Sequence, residues 1–526
     1  MRRGAAAAVA NGLVAGALAG LAMALLAVIL RLIGGVPLLS ELASDRIVPL
    51  LSIRQFGRLA AALGGLRRGK EFALIGGFAA QVVAATFAGG LAGLVLLSGL
   101  PRRVRRLPVA LALILCLATG LTVFLLWPVL GSNYRGLGST PATVTNAVAI
   151  VASFALYGVV FALALGAMAR PTAERQAGAD PAPAGRVVGR RALLRGAVGA
   201  GLALLAAGGV DLLFRKATVG PNGYDGLGVR GPQTLSITPN DRFYVVTKNL
   251  IDPMVDSSLW QLRVSGLVDR ERSFGLDDLM ALPSRTQIQT LECISNGVGG
   301  GLMSTAAWRG VPLAALLAVA QPRPEARFVL LRAADGYTHG IPLDRAMDPS
   351  SLVAYEMNGA PLPNRHGYPA RVLIPGTYGE VNVKWVERID VVDRSVEGYY
   401  EQQGWRPGFV HTTSRFDRPF DGQRVALSRE PRVPVGGIAF AGDRGVSKVE
   451  SSFDGGASWR VARIDHAAGN LAWVLWSAPW TPPGPGTYQL AVRATDGTGT
   501  TQTAVRRGSA PSGATGYHQI QVAVTP

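Results

Sequence analysis

Thr290-Leu-Glu-Cys293-Ile-Ser-Asn-Gly297-Val-Gly-Gly-Gly301 is a strand-like run that gives way to a polar, glycine-rich loop. Glycines let a bulky ligand come close to the backbone and bare N–H groups to anions, so such a loop beside a thiol is a candidate site. The plain alternative is a buried structural cysteine at a turn. No helical pattern opens at these glycines, so the string is not a dinucleotide fingerprint. Around it, strand-like runs (Trp260 to Val264, Arg327 to Leu331, Arg371 to Ile374) mix with short helical ones (Leu276 to Leu282, Pro312 to Val319). That is an α+β pattern without regular βαβ alternation.

A second cluster follows in His366-Gly-Tyr-Pro-Ala-Arg371-Val-Leu-Ile-Pro-Gly-Thr-Tyr-Gly-Glu-Val-Asn382-Val-Lys384-Trp385. His366, Arg371, Asn382 and Lys384 flank a short apolar strand and a Pro-Gly turn, which lets them converge on one phosphate-sized anion through charge-assisted hydrogen bonds. A solvated surface of unrelated charges is the weaker reading, because prolines and glycines fix the backbone between these positions.

Beyond Val425 the chain reads as all β. Tyr488, Leu490, Val492 and Ala494 share one face of a strand while Gln489, Ala491 and Arg493 share the other. Asp454-Gly455 and Asp496-Gly497 supply turns. The setting of Tyr488 is that of a tyrosine corner in an immunoglobulin-like sandwich, with Leu490 where antibody domains carry a disulfide cysteine.

The first half of the chain belongs to a different solvent. Over 526 residues the hydrophobic content is 49% and the charged content only 16%. Residues 4–30, 72–100, 107–134 and 136–169 hold no charged side chain, and each is long enough to span a bilayer. A shorter fifth run covers 196–210 and continues through Leu212 to Phe214. The net charge of +18 comes from arginines beside these runs (Arg102 to Arg106, Arg186 to Arg195), which marks cytoplasmic loops and argues against nucleic acid. Five alternating helices then leave everything after about Lys216 on the outer side. The loop 31–70 fits that topology least, since it would lie outside with several arginines; its apolar positions suit an amphipathic helix on the membrane surface.

Gly189-Arg190-Arg191-Ala-Leu-Leu-Arg195 precedes the fifth run, after a Pro/Ala/Gly linker, and reads either as an uncleaved twin-arginine signal or as an ordinary positive flank. None of the five histidines (His339, His366, His411, His466, His518) lies in a span, which excludes a bis-histidine haem in the membrane. The two cysteines, Cys116 in an apolar run and Cys293 in the soluble half, cannot pair.

Several motifs in order resemble the sulfite oxidase family of molybdopterin enzymes: Thr290 to Gly297, Trp308-Arg-Gly-Val-Pro-Leu313, Asp335-Gly-Tyr337, Ala354-Tyr-Glu-Met-Asn-Gly359, His366 to Pro375 and Val383-Lys384-Trp385. Lys448 to Trp459 and Arg493 to Asp496 resemble that family's immunoglobulin-like dimerisation domain. The resemblance implies that Cys293 is the molybdenum ligand and catalytic cysteine. It implies that Phe243, Tyr244, Asp335, His366, Arg371, Asn382, Val383 and Lys384 contact molybdopterin. It also implies oxygen-atom transfer on a small oxyanion or sulfoxide, with electrons leaving to a separate partner. Sulfite-oxidising members carry anion-binding arginines after the cysteine motif, whereas this chain has Gly297 and Val298 there, and Lys248 is the one cation in 243–249.

The expected architecture is a transmembrane bundle over 1–170, a cytoplasmic linker over 171–190 and a twin-arginine-like anchor over 191–215. An α+β molybdopterin domain over 220–424 and an immunoglobulin-like sandwich over 425–526 follow. The whole is a multi-pass cell-membrane protein with its catalytic domain outside the cytoplasm, a homodimer through the last domain, with no haem. The alternatives are a cofactor- or anion-binding membrane sensor and a structural membrane protein without turnover.

Overall fold

The computed structural model describes residues 2–64, 66–97, 107–169, 190–218, 234–426 and 432–526, and these form two compact units. The expected linker residues 171–189 and the arginines 102–106 lie outside the described residues.

The described chain through residue 218 is helical: α1 (Arg2–Gly34), α2 (Leu39–Ile47), α3 (Ile53–Ala62), α4 (Leu66–Leu97), α5 (Leu107–Leu126), α6 (Ser139–Ala169) and α7 (Arg190–Thr218). Four stretches are long and apolar enough to cross a membrane, Ala6–Gly34, Arg68–Leu94, Ala112–Val129 and Ser139–Met168; the apolar stretch in α7, Ala200–Leu212, is shorter. Apolar side chains gain nothing by leaving lipid for one another, so helices associate there by close backbone approach at small residues. Gly12, Gly16 and Gly20 supply that on α1. A Cβ on Gly12 would stand 2.3 Å from the Gly89 carbonyl oxygen, and one on Gly16 2.5 Å from that of Ala85. On the neighbouring face Ala15, Ala19 and Met23 pack with Tyr157 and Phe161 of α6.

The loop expected as one surface helix differs. Arg31 belongs to α1, and two short helices, α2 and α3, follow. None of the α3 side chains is buried, whereas Arg31 and Glu41 are sealed together at 3.1 Å, with the Arg31 guanidinium over the Tyr134 ring. A buried arginine requires such a partner, and Glu41 supplies it ten residues on.

The second unit holds two β-rich parts. In the first, a mixed sheet runs in the order Arg272–Phe274, Leu262–Gly266, Val386–Val392, Phe328–Ala333, Thr338–Pro342, with Leu262–Gly266 parallel to Val386–Val392. A second sheet orders Arg285–Glu292, Met303–Pro312, Leu352–Met357, Ala360–Pro361, and Arg371–Leu373 pairs onto Leu352–Met357. The helices Leu276–Ala281 and Leu313–Ala320 complete the α+β pattern, the latter burying Leu313, Leu316, Leu317 and Ala320 at helical spacing.

The last part is a two-sheet sandwich. One sheet orders Thr413–Arg418, Gly436–Phe440, Val474–Ser477, Arg463–Ala467; the other orders Arg424–Ala426, His518–Thr525, Gly486–Asp496, Val446–Ser452, Arg460–Val461. Between them Val435, Trp476, Trp480, Leu490, Val492, Ile520 and Val522 form one core. The Tyr488 hydroxyl donates to the carbonyl of Gly484, four residues upstream (2.8 Å).

Candidate functional site

The strand Arg285–Glu292 pairs antiparallel along its whole length with Met303–Pro312, from Arg285 opposite Gly310 to Glu292 opposite Met303. This brings Cys293 opposite Leu302, to whose carbonyl the Cys293 N–H donates (3.0 Å). Asn296 closes the loop between them. Its Nδ2 donates to Glu292 Oε1 (2.9 Å), and its Oδ1 accepts the Leu302 N–H (3.0 Å). The glycines here serve unequal purposes. Gly299 stands at φ +72° with a Cβ position 2.3 Å from His518 Nε2, and a Cβ on Gly300 would meet Asn296 Oδ1 at 2.3 Å, so both answer to protein neighbours. Gly297 alone of these three faces open space.

Cys293 is buried, with its Sγ 3.0 Å from Ser295 Oγ. Burial, with the Glu380 carboxylate as a lesser cause, pushes its thiol up to about 12. The thiol is therefore protonated at neutral pH, a preference that a bound cation would reverse.

Phe243, Tyr244 and Cys293 share one packed cluster with Leu291, Trp308, Ala354 and Leu373. The Phe243 ring meets Trp308 and His366 edge-on at 5.6 and 5.2 Å. Gly379 allows the approach of the second segment: a Cβ there would stand 2.7 Å from the Tyr244 hydroxyl and 3.7 Å from Cys293 Cα. The two stretches singled out in the sequence, around Cys293 and from His366 to Lys384, are thus neighbours in space.

Within that segment the polar side chains are buried but bonded differently from the sequence expectation of four donors aimed at one anion. Arg371 donates to the carbonyls of His366 (3.2 Å) and Asn382 (3.0 Å), with its guanidinium 5.1 Å over the Trp308 ring. Asn382 braces its own turn, accepting the Ile374 N–H (2.8 Å) and donating to the Tyr378 carbonyl (2.8 Å). Lys384 Nζ donates to the carbonyls of Val246 (3.2 Å) and Arg365 (3.1 Å). His366 Nε2 lies 3.2 Å from the Asn240 carbonyl oxygen. Buried donors take what acceptors the fold offers, and here those are carbonyls. Val383 enters through its backbone, whose carbonyl accepts from Val372 (2.8 Å).

One donor stays unused: Arg371 Nε is buried without an acceptor. Burial lowers Arg371 to about 10, Lys384 to about 8 and His366 to about 3, so the first two stay charged at neutral pH while the imidazole is neutral. Two desolvated cations and an idle donor make a group that an anion would stabilise. Asp335 stands at the rim of this group. Its Oδ1 caps the Asp335-Gly336-Tyr337 turn by accepting the Tyr337 N–H (2.9 Å), and its charge acts on Lys384.

Sequence reading missed Glu380. Its carboxyl is sealed from solvent without a formed hydrogen bond, close to the Ile294 N–H, and burial raises it to about 8. An acid set between Gly379 and Asn382 in an otherwise cationic segment was the available signal. Tyr337, Tyr399 and Tyr400 form an aromatic group with ring centroids 5.2 to 5.9 Å apart; Lys248 lies over Tyr399 at 5.3 Å. Tyr337 also donates to the Glu380 carbonyl (2.8 Å).

Residues 249–400 match the oxidoreductase molybdopterin binding domain, and residues 410–524 match the Mo-co oxidoreductase dimerisation domain. The chain belongs to the sulfite oxidase family of molybdopterin oxidoreductases. Mitochondrial sulfite oxidase of Homo sapiens is 33% identical over 311 residues, 49% of this chain and 56% of that protein. NADH nitrate reductase of Solanum lycopersicum is 30% identical over 328 residues, 51% of this chain and 36% of that protein. The sulfane dehydrogenase SoxCD of Paracoccus pantotrophus, a solved structure, is 25% identical over 52% of this chain and 76% of that one, at a TM-score of 0.47. The chain spans about half the length of the curated sulfite oxidases it matches first. The family's cofactor carries a phosphate and a soft metal, and the residues present fit both: Cys293 is a soft donor, and the Arg371–Lys384 group wants an anion.

Proposed function

We propose that this chain is a membrane-anchored molybdopterin oxidoreductase that moves an oxygen atom to or from a small substrate, sulfite or a sulfoxide-like oxide, outside the cytoplasmic membrane. The observation that carries the reading is the unused Arg371 Nε in a buried cationic group packed against the cluster that holds Cys293. In this reading Cys293 binds the molybdenum, and Arg371, Lys384, His366 and Asn382 hold the pterin phosphate. Phe243, Tyr244, Asp335 and Val383 wall the cofactor. Bound there, the group supplies two-electron oxygen-atom chemistry. The chain's own residues bind and orient it, and the Tyr244–Trp308–Phe243 packing keeps water away from the sulfur.

Charge near Cys293 bears on the substrate. Residues 294–301 contain no cation to receive a dianion, and Glu380, raised to about 8 and so mainly protonated at neutral pH, adds none, which favours an uncharged oxide. The domain limits 220–424 and 425–526, the immunoglobulin-like nature of the sandwich, a homodimer formed through it and a separate electron partner belong to the same proposal. So do five membrane helices over 1–170 and 191–215, twin-arginine export through Arg190-Arg191 and the extracytoplasmic side, supported by apolar helices flanked by arginines.

Metal analysis tests the reading. Chain purified from a molybdopterin-competent host is expected to hold near one molybdenum, lost in Cys293→Ser; a metal-free wild-type chain would overturn it. Dye-coupled assays with sulfite and with dimethyl sulfoxide then separate the two substrate classes.

A further inference from the structure

The loop that carries Cys293 is held from the far side by the C-terminal sandwich. Arg415, on the strand Thr413–Arg418, donates from Nη1 to the Gly300 carbonyl (2.7 Å) while its Nε pairs with Asp417 at 2.9 Å. Both side chains are buried, so the guanidinium is pinned by a desolvated carboxylate. His518, at the start of the strand His518–Thr525, accepts the Phe416 N–H at Nδ1 (3.0 Å) and fills with Nε2 the space a Cβ on Gly299 would take. Trp473 reaches the strand leading into Cys293: its N–H donates to Thr290 Oγ1 (2.8 Å), and the Thr290 N–H donates to the Leu471 carbonyl (2.9 Å). Each contact falls on the hairpin whose tip presents Cys293.

We propose that Arg415 and His518 are positioning residues that clamp Gly299 and Gly300, and through the Asn296-closed loop fix the direction in which the Cys293 sulfur points. The sandwich is then part of the catalytic hairpin's scaffold as well as an assembly module. A loop of small residues has many conformations, and a metal–sulfur bond tolerates few of them. The clamp removes that freedom before any metal binds.

The proposal rests on Cys293 as a metal ligand only for its spectroscopic and turnover arms. In chain without metal, His518→Ala and Gly299→Ala are expected to speed alkylation of Cys293 by a maleimide. They should also speed hydrogen exchange of the Gly300 amide, which donates to the Gly297 carbonyl. Gly299→Ala both strains the backbone at φ +72° and displaces His518, so the double variant Gly299→Ala/His518→Ala should fall short of the sum of the two singles. In metal-loaded chain the sulfur-to-molybdenum absorption band should shift. Turnover of sulfite or dimethyl sulfoxide, whichever the wild type converts, should fall roughly 10- to 100-fold at unchanged KM. Arg415→Lys, which keeps a cation beside Asp417, gives the same signature if the full protein folds. Unchanged alkylation, exchange and absorption band, with only a lower Tm, would make the two residues structural cement and overturn the proposal. Additive effects in the double variant would overturn it too. Absence of molybdenum from the wild type sinks the cofactor reading while leaving the alkylation and exchange arms decisive.

Discussion

Arg415 and Arg371 are both buried, lie in the same compact unit, and differ in what answers their charge. Arg415 has the Asp417 carboxylate at 2.9 Å and spends its remaining reach on Gly300. Arg371 has no carboxylate in bonding distance among the described residues; it donates to two carbonyls and leaves Nε idle. An arginine sealed with its own acid is finished structure. On the proposed reading, one sealed with neutral carbonyls is a receptor, because its desolvation cost is one that a bound anion would offset.

The contrast breaks most visibly at Arg415. Removing it with Arg415→Met strands the buried Asp417, and unfolding of the purified chain should show a loss of about 3–5 kcal/mol. Adding Asp417→Leu should return much of it. If the single variant is as stable as the wild type, the pair is not the lock described.

Arg371→Leu should behave in the opposite way. Without cofactor the chain loses two carbonyl hydrogen bonds and a desolvated charge together, so its stability should change by no more than about 1 kcal/mol in either direction. Its molybdopterin content should fall steeply. Loss of stability equal to that of Arg415→Met would erase the distinction.

Lys384 sharpens the contrast through pH. Its folded value of about 8 lies below the 10.5 of an ordinary lysine, so the unfolded chain binds the proton more readily in that window. Below pH 8 both states carry the charge and the full penalty stands; as pH rises from 8 to 10.5 the penalty disappears and stability recovers. Lys384→Met lacks that penalty. The wild type should therefore be less stable than the variant below pH 8, with the gap closing by 10.5 in paired melting curves of metal-free chain. A gap independent of pH would remove Lys384 from the receptor.

The low end of the scale is a neutral donor. Tyr488→Phe removes the hydroxyl bond to Gly484 and should cost about 1 kcal/mol in the same unfolding assay, with molybdenum content unaffected.

Local pattern carried a good deal of this. Cys293 beside glycines, and the prolines and glycines spacing His366 to Lys384, marked the two stretches that meet in space. Residue alternation marked the strand Gly486–Asp496, and uncharged runs marked the four long apolar helices. What stayed hidden is long-range. Nothing near Arg415 or His518 points to a loop more than a hundred residues away, and Gly299 and Gly300 read as room for a ligand when their room is taken by His518 and Asn296. Arg31 was read as the start of the outer loop 31–70 because its acid, Glu41, comes only after a turn. Glu380 escaped because an acid among cations reads as ordinary charge balance until burial is known.

The contacts of Gly299 with His518 and of Gly300 with Arg415 bear on how such chains can be recombined. Although the sequence reads as domains on a string, the sandwich cannot be exchanged as a cassette. A donor lacking a histidine at 518 or an arginine at 415 would arrive with the wrong mould for the recipient's cysteine loop. On that proposal hairpin and sandwich form one fitted part, and a chimera joined near residue 410 should work only when both halves of that fit come from the same parent.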